Sequence, residues 1–370
     1  MMVPILLVGT ILASAQNPAS NGRIQLKMSL GEEWDSNAAR TLNLSPLDKE
    51  SDLLTRVIGE LNWTRPLNRS HSISGAILGG AKRFHSQQSE DVIVQNLSVG
   101  SRHILSPSWQ LGTDLRFRMT RMRSVLRDYS LAQSNLRLHW LGVKSFQSQL
   151  VVTAKRFIFP TETRLNYYGG AATLGFSGKL SEYMKWRTTG TYERDGFDGN
   201  ALTTVFDPGS NQQTVTFCDE KDSRFLQTCS SQRREDEVFL ARVGISYQRL
   251  FLLNANLFFE SRRSNSVYED INRIGLTLST TVETFAGIML SLLTSIQYTS
   301  EQSLSQNLYQ FQPEDDENQN RISVQLSREI ISRVDLLIRY EYFSNAFATR
   351  DTLFTRQTAF VGLRFETQPS

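Results

Sequence analysis

Few side chains of the types that carry out chemistry occur in this sequence, and their spacing matches no known active site. The four histidines are His71, His85, His103 and His139, and none has metal-binding spacing. Residues 175–178, GFSG, do not form a nucleophile elbow, because the second glycine comes one position too early. His139 could serve a serine as a general base, as in barrel lipases, but no partnered asparagine or acid accompanies it. We therefore expect no catalytic residue, no metal site, no cofactor and no enzymatic activity.

The two cysteines, Cys218 and Cys229, lie in one polar segment. In an exported protein such a pair predicts a local disulfide that pins an outer loop, because thiols oxidise outside the cytosol. A metal site would need more ligands, and the nearest histidine is distant in the sequence. The segment that contains both cysteines, residues 195–236, is the longest irregular stretch that the pattern predicts. It is the candidate for a plug or constriction.

The N-terminus predicts export. Residues 1–15, MMVPILLVGTILASA, combine an apolar core with the small-residue site Ala13-Ser14-Ala15, as in a signal peptide. No basic residue precedes the core, which departs from the usual pattern. The core is too short to span a bilayer, so a membrane anchor is disfavoured. Residues 16–22 then form a short polar lead-in in the periplasm.

Residues 109–118, WQLGTDLRFR, show the pattern that dominates the chain. The odd-numbered residues are mostly apolar, and the even-numbered residues are polar or charged. Because successive side chains of a strand point to opposite faces, this segment predicts a strand with one apolar and one charged face.

Sixteen stretches of about ten residues can form such strands, and a tilted strand needs about that length to cross a bilayer. Connections after even-numbered strands are short, whereas those after odd-numbered strands are mostly longer and more polar, as in bacterial outer-membrane barrels. The sequence thus predicts an all-β, transmembrane, antiparallel up-and-down β-barrel of about 16 strands over residues 23–366, with short periplasmic turns and longer extracellular loops. The outward face of the fourth strand is not evident. The predicted strands are residues 23–34, 54–65, 72–84, 92–101, 109–118, 129–140, 146–156, 167–177, 184–194, 237–248, 251–262, 270–280, 284–298, 320–328, 334–343 and 356–366.

Composition agrees with a barrel and excludes other classes. The mean hydropathy is −0.32, and after the N-terminus no run approaches the ~20 apolar residues of a membrane helix. The formal net charge of +3 is too balanced for a nucleic-acid binder. A soluble exported pair of β-sandwiches is the alternative fold. The tryptophans favour the barrel, because they lie near strand ends where interfacial girdles would place them: Trp34, Trp63, Trp109, Trp140 and Trp186.

If the apolar faces contact lipid, the opposite faces line a lumen. Its predicted basic residues are Arg56, Arg116, Arg118, Arg137, Lys155, Arg187, Arg242, Arg273, Arg321, Arg339 and Arg364. Its predicted acidic residues are Glu60, Asp114, Glu193, Glu260, Asp335 and Glu341. This surplus of basic groups predicts a pore that favours anions. Alternatively, many of these groups form ion pairs across strands and neutralise one another's charge.

The first third of the chain resembles a known family. The segments that carry the resemblance are GEEWDSNAAR, DKESDLLTRVIGELNW, HSISGAILGGAKRF and DVIVQNLSVGSRHILSPSWQLGTDLRFR. They resemble the β-barrel porins associated with exopolysaccharide operons of Gram-negative bacteria. The resemblance implies an outer-membrane channel that acts with a periplasmic polysaccharide export protein, but it assigns a role to no residue.

Two functions are therefore expected. The first is a porin-like channel of the bacterial outer membrane, for export of exopolysaccharide or passage of anionic solutes. The alternative is a non-conducting surface β-barrel that acts in attachment or as an assembly scaffold. Expected partners are outer-membrane lipid, lipopolysaccharide and the barrel-assembly machinery, which would read the amphipathic last strand with Phe365. We expect no nucleic-acid partner.

Overall fold

The computed structural model describes residues 22–38, 50–123, 128–143, 146–161, 163–207, 212–217, 232–266, 269–301, 320–345 and 354–367. One-turn 3₁₀ helices lie at Gln88–Glu90, Thr163–Leu165 and Phe285–Gly287. Among the described residues, no helix is long and apolar enough to cross a bilayer. The strands are β1 (Arg23–Asp35), β2 (Asp52–Pro66), β3 (His71–Phe84), β4 (Val92–Ser106), β5 (Trp109–Met122), β6 (Tyr129–Val143), β7 (Phe146–Ile158), β8 (Tyr167–Lys179), β9 (Met184–Asn200), β10 (Leu202–Asp207), β11 (Gln212–Phe217), β12 (Arg233–Gln248), β13 (Leu252–Ser264), β14 (Ile271–Glu283), β15 (Met289–Glu301), β16 (Asn320–Ile331), β17 (Val334–Asn345) and β18 (Phe354–Glu366).

Sixteen of these strands close into one antiparallel barrel. Each pairs with the preceding and following strand, and β1 pairs with β18 to close the sheet. β12 pairs directly with β9, because β10 and β11 form a separate hairpin between them. Closure removes the two free edges that an open sheet of these strands would have, as a bilayer requires. The predicted closed barrel of 16 strands is confirmed.

The two ends of the barrel differ in the length of their connections. Short turns follow β2, β4, β6, β8, β12, β14 and β16, and the longest of them has five residues, Thr284 to Ile288. We call this the short-turn end. The other end carries the longer connections and is called the long-loop end. The alternation of loop lengths expected from the sequence is present.

The segment 195–236, expected to be irregular, is partly regular. β9 continues to Asn200, β12 already begins at Arg233, and the hairpin of β10 and β11 lies between them. The hydrophobic alternation fades here because these residues are mostly polar, yet the backbone hydrogen bonds of the ladder continue. The expectation of an irregular segment over the whole range was therefore wrong.

The turn between β14 and β15 also differs from the expected one. A strand was predicted to begin at residue 284, but β14 runs to Glu283 and β15 begins only at Met289. Ala286 and Gly287 have φ angles of 59° and 69°, which an extended strand cannot hold. The apolar composition of this turn resembles that of a strand, which explains the error.

The outward face of the wall is apolar. Leu30, Val57, Leu115 and Leu150 are exposed there, on four different strands. Apolar side chains exposed around a closed sheet require lipid as their neighbour. The outward face of β4, which the sequence left open, carries Ile93, Leu97 and Val99.

Aromatic side chains mark the two boundaries of this apolar band. Trp34 lies towards the long-loop end of β1, and Trp63 pairs in register with Ile24, ten residues earlier on that strand. At about 3.3 Å per residue and a tilt of about 40°, the two tryptophans are about 25 Å apart along the barrel axis. That height is the expected thickness of the apolar band of an outer-membrane barrel.

Candidate functional site

The candidate site is the inward face of the barrel. Every basic and acidic residue that was predicted to line a lumen occupies an inward register position, opposite in parity to the apolar outward set. Their role in ion selectivity stays a prediction.

Glu33 is the centre of one charged group near the long-loop end. Its side chain is 1% exposed, and it accepts hydrogen bonds from Arg56 Nη1 at 2.9 Å and Lys82 Nζ at 2.8 Å. Arg339 Nη2 lies 3.6 Å from the same carboxylate. Three cations therefore converge on one buried anion from β2, β3 and β17.

Neighbouring residues extend this group around the wall. Glu341 pairs with Arg321 and lies 3.5 Å from Arg339 Nε, and Arg356 forms a two-pronged pair with Asp35. The buried ring of Phe360 lies beneath Arg339, with 5.2 Å between the ring centre and Cζ. We call the whole group the first charge cluster: Glu33, Asp35, Arg56, Lys82, Arg321, Arg339, Glu341 and Arg356.

Lys155 anchors a second group on the other side of the barrel. Its Nζ lies 2.6 Å from Glu193 Oε1, 3.5 Å from Asp195 Oδ1 and 4.8 Å from the centre of the Tyr167 ring. The lysine reaches β9 by crossing β8 at Gly169. A Cβ atom at Gly169 would lie 2.4 Å from Lys155 Cε and 2.2 Å from Asp195 Oδ1, so the crossing depends on glycine.

Arg234 continues this second group. Its guanidinium contacts Asp236 at 2.6 Å and Glu269 at 3.0 Å, above the Phe197 ring. Burial raises the pKa of the Glu269 carboxyl, although the Arg234 guanidinium opposes that shift. Arg262 and Arg273 both contact Glu260, at 3.7 and 3.5 Å. We call these residues the second charge cluster: Lys155, Glu193, Asp195, Arg234, Asp236, Glu260, Arg262, Glu269 and Arg273.

Six other inward cations, towards the middle and the short-turn end, have a different environment from that of the clusters. They lie on β4, β5, β8, β9 and β12, their side chains are exposed, and none forms an ion pair within the described part of the chain. Arg137, on the intervening β6, differs because it pairs with Asp114 at 2.5 Å. We call the unpaired set the basic arc: Arg102, Arg116, Lys179, Lys185, Arg187 and Arg242.

The sequence analysis missed several members of these groups. Lys185 has the same parity as Arg187 on one strand, so the alternation alone could have found it. Lys179, its register partner, lies two residues beyond the predicted end of its strand. Glu33 and Lys82 were equally visible by parity, whereas Arg234 lies in the segment 195–236 that was expected to be irregular. Their mutual contacts had no local signal, because the partners come from different strands.

His139 lies on the inward face of β6. Arg102, Arg137 and Arg187 are the charged groups that act on it electrostatically. Within the described residues it has no hydrogen bond to a serine or a carboxylate, and no group of three or more His, Cys, Asp or Glu side chains could hold a metal ion. The predicted disulfide between Cys218 and Cys229 and the predicted signal peptide, residues 1–15, lie outside the described residues.

Comparison with known proteins places the fold. No family model matches the chain, and no curated protein matches it in sequence. Similar solved structures include CdiB from Acinetobacter baumannii, at 8% identity and a TM-score of 0.50, covering 92% of this chain and 60% of that one. The chain has the fold of an outer-membrane β-barrel.

Two further structures have lower TM-scores. OmpT of Vibrio cholerae, expressed in the outer membrane, is 10% identical with a TM-score of 0.47, and the match covers 95% of this chain and 99% of that one. A bacterial polysaccharide outer membrane secretin is 7% identical with a TM-score of 0.45, over 95% and 100% of the two chains. At such identities the likeness concerns the fold alone.

Proposed function

We propose that this chain is an outer-membrane channel that favours the passage of anions. The observation that carries the proposal is the basic arc, whose cations are exposed on the inward face and form no ion pair within the described residues. Unpaired cations along a low-dielectric wall create a positive potential and raise the local concentration of anions. A barrel of sixteen strands is wide enough to hold an aqueous path.

We extend the proposal to an acidic exopolysaccharide as the solute. The support is the sequence resemblance to porins associated with exopolysaccharide operons. In that role the short-turn end faces the periplasm and receives the polymer from a periplasmic polysaccharide export protein. In this proposal the signal peptide directs export of the chain and is then cleaved. The barrel-assembly machinery inserts the chain into the outer membrane, where lipopolysaccharide surrounds its outward face.

The test is the ion selectivity of the folded chain in planar bilayers. Under a potassium chloride gradient, we expect stable openings whose reversal potential has the sign of the chloride equilibrium potential. The double variant Arg116→Gln/Arg242→Gln should shift the reversal potential towards the potassium equilibrium potential, because it removes two unpaired inward charges. The matched control is Arg328→Gln, an exposed arginine at an outward register position of β16, which should leave the potential unchanged.

Two results would contradict the proposal, the first its channel and the second the role of the basic arc. A folded barrel that inserts and never conducts would favour the alternative, a non-conducting surface barrel that acts through its long loops. Open channels whose selectivity the double variant leaves unchanged would show that the basic arc does not set it. Addition of an acidic polysaccharide to the short-turn side tests the solute, because a polymer that enters the lumen should block the current.

A further inference from the structure

The inward wall contains a cavity of about 450 Å³ near the short-turn end. It is bounded by β7, β8, β9, β12 and β13, and its volume falls in the ~300–1,000 Å³ range of small-molecule sites. Its polar lining comprises three cations, three carboxamides and two hydroxyls, and it includes no acidic residue. These side chains are Lys179, Lys185, Arg187, Gln147, Asn254, Asn256, Ser177 and Ser246.

The three cations are held close together by strand register. Lys179 and Lys185 are direct partners across β8 and β9, and Arg187 follows two positions along the same face. Like charges directly opposite each other destabilise a sheet, so this arrangement favours an anion between them. Within the described residues, none of the three forms an ion pair. An anionic ligand is the partner that their chemistry selects.

The carboxamides give the cavity a second chemical character. Asn256 pairs in register with Gly244, where a Cβ atom would lie 2.4 Å from Asn256 Oδ1, so the glycine makes room for this amide. Asn254 Nδ2 donates a hydrogen bond to Ser279 Oγ at 3.4 Å, and within the described residues its Oδ1 accepts no hydrogen bond. An amide both donates and accepts hydrogen bonds, which is what hydroxyl groups require.

We propose that this cavity binds a hydroxyl-bearing anion of the sugar-acid or sugar-phosphate class. The carboxylate or phosphate lies between Lys179, Lys185 and Arg187. The ligand's hydroxyls bond to Asn254, Asn256 and Gln147. The inference rests on the proposed channel, for which this cavity is the first binding position reached from the periplasm.

Binding to the full chain in detergent micelles tests this site. The probes are glucuronate, glucose 6-phosphate, glucose and inorganic phosphate, each titrated by calorimetry. We expect the two sugar anions to bind, and glucose and phosphate to bind at least about tenfold more weakly, since each lacks one half of the recognised chemistry. The stronger of the two sugar anions identifies the anionic group.

Substitutions then locate the site. Lys179→Gln/Lys185→Gln should weaken binding of the sugar anions about tenfold to a hundredfold, through loss of charge-assisted hydrogen bonds. Lys27→Gln is the matched control, because Lys27 also faces inward at this end but pairs with Glu366 at 3.3 Å. Asn256→Ala should weaken the sugar anions and leave inorganic phosphate unaffected. The single variant Lys185→Gln serves if the double variant folds poorly.

Equal loss in Lys27→Gln, or no loss in either lysine variant, would overturn the site. Phosphate that binds as tightly as the sugar anions would overturn the role of the carboxamides. Because binding is measured without a current, a barrel that binds these anions but never conducts would fail as a channel and keep this site. An anion-selective channel that binds none of these sugar anions would keep the proposed channel and overturn this site.

Discussion

The two charge clusters and the basic arc, all on the inward face of the barrel, arrange their charges in opposite ways. In the first and second charge clusters, towards the long-loop end, cations are drawn together around buried carboxylates such as Glu33 and Asp236. In the basic arc, towards the short-turn end, the cations are exposed and form no ion pair within the described residues. A buried charge without a partner costs several kcal/mol, whereas a hydrated one costs little. Buried inward charges therefore need an ion-pair partner, whereas exposed ones do not and are available to solutes.

The largest expected effect comes from removing the shared anion of the first charge cluster. Glu33→Gln leaves Arg56, Lys82 and Arg339 facing one another in a buried site. We expect a loss of about 3–5 kcal/mol in the free energy of unfolding, because Arg56 and Lys82 lose their counter-charge and Arg339 keeps only Glu341 among the described residues. Urea unfolding in detergent micelles, followed by tryptophan fluorescence, measures the change.

The matched control is Glu366→Gln at the short-turn end. Glu366 pairs with Lys27 at 3.3 Å, and both side chains are more than a third exposed. Solvent screening should limit the loss to about 1 kcal/mol or less. Equal losses in Glu33→Gln and Glu366→Gln would contradict the link between exposure and pairing.

A smaller effect is expected where a lysine crosses a strand in the second charge cluster. Gly169→Ala places a methyl group against Lys155 Cε and Asp195 Oδ1 and should separate this pair. We expect a destabilisation of about 1–3 kcal/mol, measured by the same unfolding experiment. In Gly190→Ala the added Cβ meets no atom within 4 Å, so that variant should be neutral or slightly stabilised. If both variants behave alike, the crossing of β8 is not what holds Lys155.

The smallest effect concerns salt. Raising the ionic strength from about 0.1 M to about 1 M shortens the Debye length from about 10 Å to about 3 Å. The anion preference produced by the exposed basic arc should fall over this range, whereas stability from the buried first charge cluster should change little. Reversal potentials and unfolding midpoints at both salt concentrations test the contrast. A preference that survives 1 M salt would point to direct binding rather than to the field of the arc.

The number of barrel strands, the outward face of most strands and a large part of the inward set could be predicted from the sequence. The reason is that alternation with a period of two is local: once Leu115 and Phe117 are assigned to lipid, Arg116 and Arg118 must face inward. The method failed where the pattern was misleading. The turn around Ala286 is apolar like a strand, and the polar continuation of β9 to Asn200 has lost the apolar signal that marks one.

The sequence by itself determined that a sheet with one apolar and one charged face would form, because each strand carries its own two faces. Which inward charges meet was decided only by the tertiary structure. Glu33 lies near the start of the chain and Arg339 near its end, and they come within 3.6 Å because β1 closes the barrel against β18, next to β17. Lys179 and Lys185 face each other because the register of β8 and β9 makes them partners. Pairing depends on distance and burial in space, and neither property is encoded in the alternation of a single strand.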